Sequence, residues 1–233
     1  MTRARSDFPI AVFVSGGGTN LQAILDRIRD GRLDPVRVAV VIASNEHCQA
    51  IGRAERSGIP TRIIRRKDHP DQASYDQALL EALRPYAVSL VVLAGFLSLL
   101  GPDFIAAYPD GIINIHPSLI PSFCGPGYYG IRPHEAALEY GVKLTGATVH
   151  LVDGAYDHGP IILQRAVPVL PDDTPQSLQQ RVMRDAEQVL LPRAVALFAA
   201  GRVRRSGRII QIEKETQDDE TSIDQRIGQD RPD

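Results

Sequence analysis

A chain of 233 residues is long enough for one α/β domain with a full core, or for two small domains at most. Its 43% hydrophobic and 23% charged residues, with a formal net charge of −2, give no reason to expect a nucleic-acid or membrane partner. Cys48 and Cys124 are too few for a disulfide framework, and no apolar run reaches the roughly 18 residues that span a bilayer. We therefore expect a soluble cytoplasmic protein.

The first half of the chain alternates apolar, β-branched runs with segments of helical periodicity. The runs predict buried strands at residues 10–14, 36–43, 61–64, 88–94 and 111–115. Helices are expected between them, at residues 19–31, 46–57 (capped by Asn45), 72–83 and 102–108. This alternation is typical of an α/β protein with a doubly wound, mostly parallel central sheet.

The second half changes character after residue 116. Residues 117–130 are rich in proline and glycine and predict a lid or binding loop, after which a helix covers 132–140. Strands at 144–152 and 161–169 are separated by a short connection and predict an antiparallel C-terminal portion. A long helix is expected from Thr174 to Ala199, kinked or split at Pro192, and then a hairpin over 202–212.

A glycine-rich loop, Ser15 to Asn20, lies between the first strand and the first helix. Backbone N–H groups and the positive end of the helix dipole make such a turn an anion site. Leu21 stands where a dinucleotide fingerprint needs its third glycine, and the Gly-Lys-Ser/Thr of a triphosphate loop is absent. The pattern favours a single phosphate monoester, with a purely structural tight turn as the alternative.

Three polar residues form the candidate reaction centre. Asn114 and His116 share one face of the fifth strand at its carboxyl end, where α/β proteins bind ligands. Asp157 lies in a glycine-bearing loop between the two predicted antiparallel strands and is expected to meet His116. An amide and an imidazolium can stabilise an oxyanion while a carboxylate takes up a proton, which suits acyl transfer to an amine without a covalent intermediate.

Five segments in chain order resemble the folate-dependent phosphoribosylglycinamide formyltransferases. They are Val14 to Leu25, Val91 to Leu100, Asn114 to Phe123, Gly146 to Ile162, and the helix around Arg181 to Pro192. The resemblance implies a Rossmann-like formyltransferase fold and formyl transfer from 10-formyltetrahydrofolate, as a co-substrate, to glycinamide ribonucleotide. It implies no tightly bound cofactor and no metal, and it leaves a homodimer open.

The same resemblance implies roles for particular residues. Asn114, His116 and Asp157 would be catalytic. The phosphate and the rest of the amine substrate would be bound by Gly17, Gly18, Thr19, Asn20 and Glu187. The folate would contact Asn114 and two segments, namely Leu97, Ser98, Leu99, Leu100 and Asp153, Gly154, Ala155, Tyr156, Asp157.

These roles suggest one domain over residues 8–205, with a phosphate-binding half at 8–110 and a catalytic and folate-binding half at 111–205. Residues 206–233 are expected to hold a terminal strand and a disordered acidic tail.

Two features depart from the family. Gln72 stands where the family often has an arginine, which Arg66 or Lys67 would replace, and the segment 124–130 is longer than usual.

Rival functions remain open. A formyltetrahydrofolate deformylase uses a similar asparagine, histidine and aspartate, but usually carries an N-terminal regulatory domain for which the start of this sequence leaves no room. A methionyl-tRNA formyltransferase adds a C-terminal nucleic-acid-binding domain, and the residues after Lys214 are too few and too acidic for one. A non-catalytic phosphate- or folate-binding module would not need Asn114, His116 and Asp157 together.

Overall fold

The computed structural model describes residues 7–214 of the protein. Within that part of the chain, seven strands form one sheet and two more form a separate hairpin. The strands are β1 (Phe8–Val14), β2 (Val36–Ala43), β3 (Thr61–Ile63), β4 (Leu90–Leu93), β5 (Ile112–His116), β6 (Leu144–Leu151), β7 (Ile161–Pro168), β8 (Val203–Ser206) and β9 (Ile209–Ile212). The order across the sheet is β3-β2-β1-β4-β5-β6-β7, which confirms the doubly wound arrangement.

Helices connect the strands and cover both faces of the sheet. They are α1 (Thr19–Arg29), α2 (Ala50–Arg56), α3 (Gln72–Leu83), α4 (Pro102–Ala107), α5 (Arg132–Tyr140), α6 (Pro175–Val182) and α7 (Gln188–Ala199). Short 3-10 turns lie at Arg66–Asp68 and Arg84–Tyr86, and a π-helical turn lies at Met183–Glu187. No helix of the described residues is long and apolar enough to cross a membrane.

The direction of strand pairing changes at β5. Strands β1 to β5 pair in parallel, whereas β6 runs antiparallel to both β5 and β7. The parallel strands need helical crossovers, while a loop of nine residues suffices to join β6 to β7. The predicted antiparallel portion is therefore confirmed, and β5 lies between two different kinds of neighbour.

Burial on both faces explains why the central strands are apolar without alternation. One face packs on α1, α2, α5, α6 and α7, and the other packs on α3 and α4. In β1, Val12 faces the first cluster and Phe13 faces the second, and both side chains are fully buried. Each such side chain contributes on the order of 1.5–3 kcal/mol to stability through the apolar surface removed from water.

The second helix begins later than the sequence predicted, so the proposed cap at Asn45 is wrong. The helix begins at Ala50. The backbone N–H of Ala50 donates to the carbonyl of Gly16, and the side chain of Asn45 donates to the carbonyl of Ser15. Residues 45–49 therefore lie against the glycine loop and do not extend the helix.

The long C-terminal helix is interrupted, but not at Pro192, so that prediction is also wrong. The interruption is the π-helical turn at Met183–Glu187, and α7 runs through the proline. Pro192 lies inside α7, as its fifth residue, and the helix continues past it without that N–H. The hairpin around Ser206 and Gly207 is present, whereas the predicted disordered tail lies beyond the described residues, apart from its first residue, Lys214.

Candidate active site

A cavity of about 610 Å³ opens at the carboxyl ends of β1, β4 and β5. Its volume falls within the usual range for small-molecule sites. Every site residue predicted from the sequence lines it except Gly154, which lies exposed in the loop between β6 and β7. A larger cleft of about 1140 Å³ on the other side of α1 contains only Thr19 of that set. The smaller cavity is therefore the candidate active site, because the residues with the relevant chemistry line it.

The glycine loop forms one end of the cavity. Gly18 has a left-handed φ of 72° at the N-cap of α1, and a Cβ there would lie 2.5 Å from the Cβ of Ala50. Gly17 needs no unusual backbone, and the nearest atom to its added Cβ would be Gln49 Oε1 at 4.0 Å. No side chain caps the first turn of α1, so its N–H groups are available to an anion.

The predicted contact between Asp157 and the fifth strand is present. Oδ2 of Asp157 lies 3.4 Å from Nδ1 of His116, and the side-chain amide of Asn114 donates to Oδ1 over 3.4 Å. His116 is 4% exposed, so its ring is desolvated beside the carboxylate. Asp157 has a φ of 50°, which is uncommon for a residue other than glycine and is typical of strained functional sites.

His150 is a fourth member of this cluster and was not predicted from the sequence. Its Nδ1 lies 2.8 Å from the carbonyl oxygen of Leu151. A carbonyl can only accept, so Nδ1 carries a proton, while Nε2 lies 3.1 Å from the amide nitrogen of Asn114 and 3.6 Å from Oδ1 of Asp157. The antiparallel register places His150 directly opposite Asn114, so a correct strand pairing would have identified it.

The loop from 117 to 130 closes over the cluster through two backbone groups. The carbonyl of Phe123 accepts from Nε2 of His116 at 3.0 Å, and the N–H of Gly125 donates to Oδ2 of Asp157 at 2.9 Å. Phe123 has a φ of 50°, so this approach strains the backbone. The loop, which we call the lid, therefore contacts the imidazole and the carboxylate directly.

Burial and charge act in opposite directions on the two titrating groups. Burial lowers the pKa of His116 although the Asp157 carboxylate favours its charged form. Burial works to raise the pKa of Asp157, but a hydrogen bond with His150, the charge of His116 and the Gly125 N–H together hold it below its usual value. Asp157 is therefore ionised at neutral pH, and His116 readily gives up a proton.

A buried pair lies beside the glycine loop. The side-chain amide of Asn20 donates to Oε2 of Glu187 at 2.7 Å, and Glu187 is 9% exposed. Burial raises the pKa of the Glu187 carboxyl. Oδ1 of Asn20 is buried and has no hydrogen-bond partner within residues 7–214, so it can accept from a ligand. The π-helical turn supplies Glu187, which faces the cavity.

Apolar side chains form the opposite wall and rim. Leu97 is 57% exposed and Tyr156 is 47% exposed, although both line the cavity. The Leu97 N–H donates to Ser15 Oγ, and the side chain of Gln72 donates to the carbonyl of Leu99. Half-exposed apolar groups around a concave site are suited to an aromatic ligand.

Gln72, near which the family often has an arginine, is hydrogen-bonded to other residues of the protein. The Gln72 side chain donates to Asp76, and Nε of Arg66 donates to Gln72 Oε1 at 3.3 Å. Arg66 thus packs against Gln72 but does not line the cavity.

Comparison with known proteins bears on the class of this site. A formyl transferase family model matches residues 9–195. A phosphoribosylglycinamide formyltransferase from Haemophilus influenzae is 35% identical over 204 residues, covering 88% of this chain and 93% of that protein. A trifunctional purine biosynthetic protein adenosine-3 from Bos taurus is 40% identical over 205 residues, but this chain spans only 20% of its length.

Solved structures agree in fold. Glycinamide ribonucleotide transformylase 1 from Symbiobacterium toebii matches with a TM-score of 0.84 and 43% identity, covering 91% of this chain and 96% of that one. A formyltetrahydrofolate deformylase from Pseudomonas syringae matches with a TM-score of 0.79 and 27% identity, covering 90% of this chain and 67% of that one.

The fold and the family model together define an enzyme of the formyl transferase class. Within this class the identity is higher to the transformylases than to the deformylase, and one such relative matches over nearly its full length. The chain belongs to the phosphoribosylglycinamide formyltransferase family.

Proposed function

We propose that the protein transfers the formyl group of 10-formyltetrahydrofolate to the amine of 5'-phosphoribosylglycinamide, a step of de novo purine biosynthesis. The observation that carries this proposal is the convergence of Asn114, His116 and Asp157 on one wall of a cavity whose end is an uncapped glycine loop. Formyl donor and phosphorylated amine would then meet at the three side chains.

The chemistry needs no covalent intermediate on the enzyme. The substrate amine attacks the formyl carbon and forms a C–N bond, while the Asn114 amide and the Nε2–H of His116 donate to the developing oxyanion. Asp157 takes up the proton that the amine loses. The bond from the formyl carbon to N10 of the folate then breaks, the proton held by Asp157 passes to N10, and the products are the formamide and tetrahydrofolate.

The two substrates are assigned to opposite ends of the cavity. Gly17, Gly18, Thr19 and Asn20 would hold the phosphate through backbone N–H groups at the N-terminus of α1. Glu187, beside Asn20, would accept from polar hydrogens of the same substrate.

The folate would lie along the apolar wall. Leu97, Ser98, Leu99 and Leu100 form one side of that wall, and the loop from Asp153 to Asp157 forms the other, with Gly154 away from the cavity itself. Asn114, between the two, would contact the folate as well as the oxyanion.

A second candidate is hydrolysis of the same donor, because the deformylase from Pseudomonas syringae shares the fold. Water would replace the amine as nucleophile, and formate would be released. The uncapped glycine loop favours the transferase, since a deformylase has no phosphorylated second substrate to bind there.

The test is a two-substrate assay with purified protein. With 10-formyltetrahydrofolate and glycinamide ribonucleotide, we expect the formylated amide and tetrahydrofolate in equal amounts. Formate released without the amine would support the deformylase instead, and binding of either compound without turnover would support a non-catalytic module.

We further propose a cytoplasmic location and small-molecule partners only, without nucleic acid or membrane. Two free cysteines, Cys48 buried and Cys124 partly buried, are consistent with a reducing compartment. Chromatography with light scattering would establish whether the protein is a homodimer.

A further inference from the structure

A chain of polar contacts joins the C-terminal hairpin to the loop that carries Asp157. Arg208 lies in the turn between β8 and β9, and its Nη2 donates to the carbonyl of His158 at 2.7 Å. Its Nη1 lies 3.4 Å from Nε2 of the same histidine. Nδ1 of His158 lies 2.8 Å from Oδ2 of Asp153, so His158 donates from Nδ1 and accepts at Nε2.

Asp153 in turn closes the loop on itself. One oxygen of its carboxylate binds His158, and the other accepts from the Ala155 N–H at 3.0 Å. Asp157 lies between these anchors with a left-handed backbone. Directly after His158, a Cβ on Gly159 would overlap the carbonyl oxygen of Leu151, so the chain leaves the loop at a fixed point.

The position of Asp157 is sensitive to this closure. Its carboxylate reaches His116 and Asn114 at 3.4 Å each, which is the outer limit of a useful contact. A shift of about 1 Å in a reacting group can cost roughly 100-fold in rate. Contacts that hold the loop from outside therefore act on catalysis even though they touch no substrate.

We infer that Arg208 is a positioning residue for the proposed formyl transfer, because it holds through His158 the loop that presents Asp157. The inference rests on the proposed function. Arg208 does not line the cavity, and the side chain of His158 is 60% exposed, so the contacts are solvent-screened and the effect is moderate. Arg208 thereby gives the C-terminal hairpin a role in the active site.

The test compares Arg208→Ala with Arg204→Ala, a matched control on the same hairpin whose side chain pairs with Glu213 instead. We expect Arg208→Ala to lower kcat for formyl transfer by about tenfold, with the KM for the amine substrate and the Tm equal to those of the control. The acid limb of its pH–rate profile should move to higher pH, because a displaced Asp157 loses the contacts that lower its pKa.

A double-mutant cycle separates this from a structural role. If Arg208 acts through His158, the loss of kcat in the double variant Arg208→Ala, His158→Ala will be smaller than the product of the two single losses. Additive losses, a pH profile like that of wild type, or equal loss in Arg204→Ala would each overturn the inference. Wild-type protein without any formyl transfer would instead refute the proposed function, and the inference with it.

Discussion

The amide nitrogen of Gly125 lies 2.9 Å from Oδ2 of Asp157. This bond joins the lid to the loop between β6 and β7, two segments that come from different parts of the chain. It gives the carboxylate a backbone donor and helps to keep the pKa of Asp157 low. The lid and the proposed proton acceptor are therefore coupled before any substrate enters.

Replacing Asp157 tests the proton acceptor. We expect Asp157→Asn to lower kcat by roughly 100- to 10,000-fold, because the amide cannot take up the proton of the amine. The circular dichroism spectrum should be unchanged. Asp103→Asn, at an exposed position on α4, is the control. A kcat within threefold of wild type would remove Asp157 from the mechanism.

Two neighbouring glycines separate phosphate binding from folding. Gly17→Ala should raise the KM for glycinamide ribonucleotide about tenfold, because a Cβ would keep the phosphate away from the backbone N–H groups. The Tm should change little, because that Cβ would meet only Gln49 Oε1, at 4.0 Å. Gly18→Ala should lower the Tm as well, because its Cβ collides with Ala50. An unchanged KM in Gly17→Ala would argue for a purely structural turn.

The variant Glu187→Gln should be more stable than wild type at high pH and should bind the amine substrate more weakly. Burial raises the pKa of Glu187 in the folded state, so ionisation favours the unfolded chain, and this cost appears only above the unfolded pKa and grows as the pH rises. The variant should be more stable than wild type at pH 8 and nearly equal at pH 5 in urea unfolding.

The KM for the amine substrate should rise about tenfold in the same variant, as for the loss of one hydrogen bond to a charged group. Glu55→Gln, on the exposed side of α2, should change neither quantity. Equal stability of the Glu187 variant and wild type at pH 8 would contradict the assigned ionisation.

His134 predicts a different pH dependence. Its ring is fully buried, neither nitrogen has a hydrogen-bond partner within residues 7–214, and burial lowers its pKa to about 4. Protonation therefore favours the unfolded state, and stability falls as the pH drops from about 6.5 towards 4. At pH 5 the loss should be about 2 kcal/mol.

The variant His134→Phe should lack that loss, and urea titrations at pH 7 and pH 5 measure it as a difference from wild type. His47→Gln, at an exposed position, is the control. If wild type and His134→Phe lost equal stability between these pH values, the pKa of His134 would not be lowered in the folded protein.

The sequence predicted those features that depend on local pattern. Strands such as β4 were recognisable because residues buried on both faces are apolar throughout. Asn114 and His116 were recognisable because alternate residues of a strand share a face. The contact with Asp157 could be predicted only from the family resemblance, or by assuming that its loop lies beside the fifth strand. The reason is that 41 positions separate Asp157 from His116.

Features that depend on tertiary partners were not predicted. His150 enters the site through its register with Asn114, which no local pattern encodes. The start of α2 is set by the hydrogen bond from Ala50 to Gly16. The π-helical turn ends at Glu187, whose carboxylate accepts a hydrogen bond from Asn20, a residue 167 positions earlier in the chain.

The bond from His116 to the carbonyl of Phe123 has an energetic consequence. A formyl oxygen that takes its hydrogen bond from Nε2 competes with an acceptor belonging to the protein itself. The apparent dissociation constant for the formyl donor is therefore the intrinsic constant divided by the fraction of molecules in which Nε2 is free of the lid. Substitutions of lid residues that never contact a ligand can therefore change this dissociation constant without altering the catalytic residues.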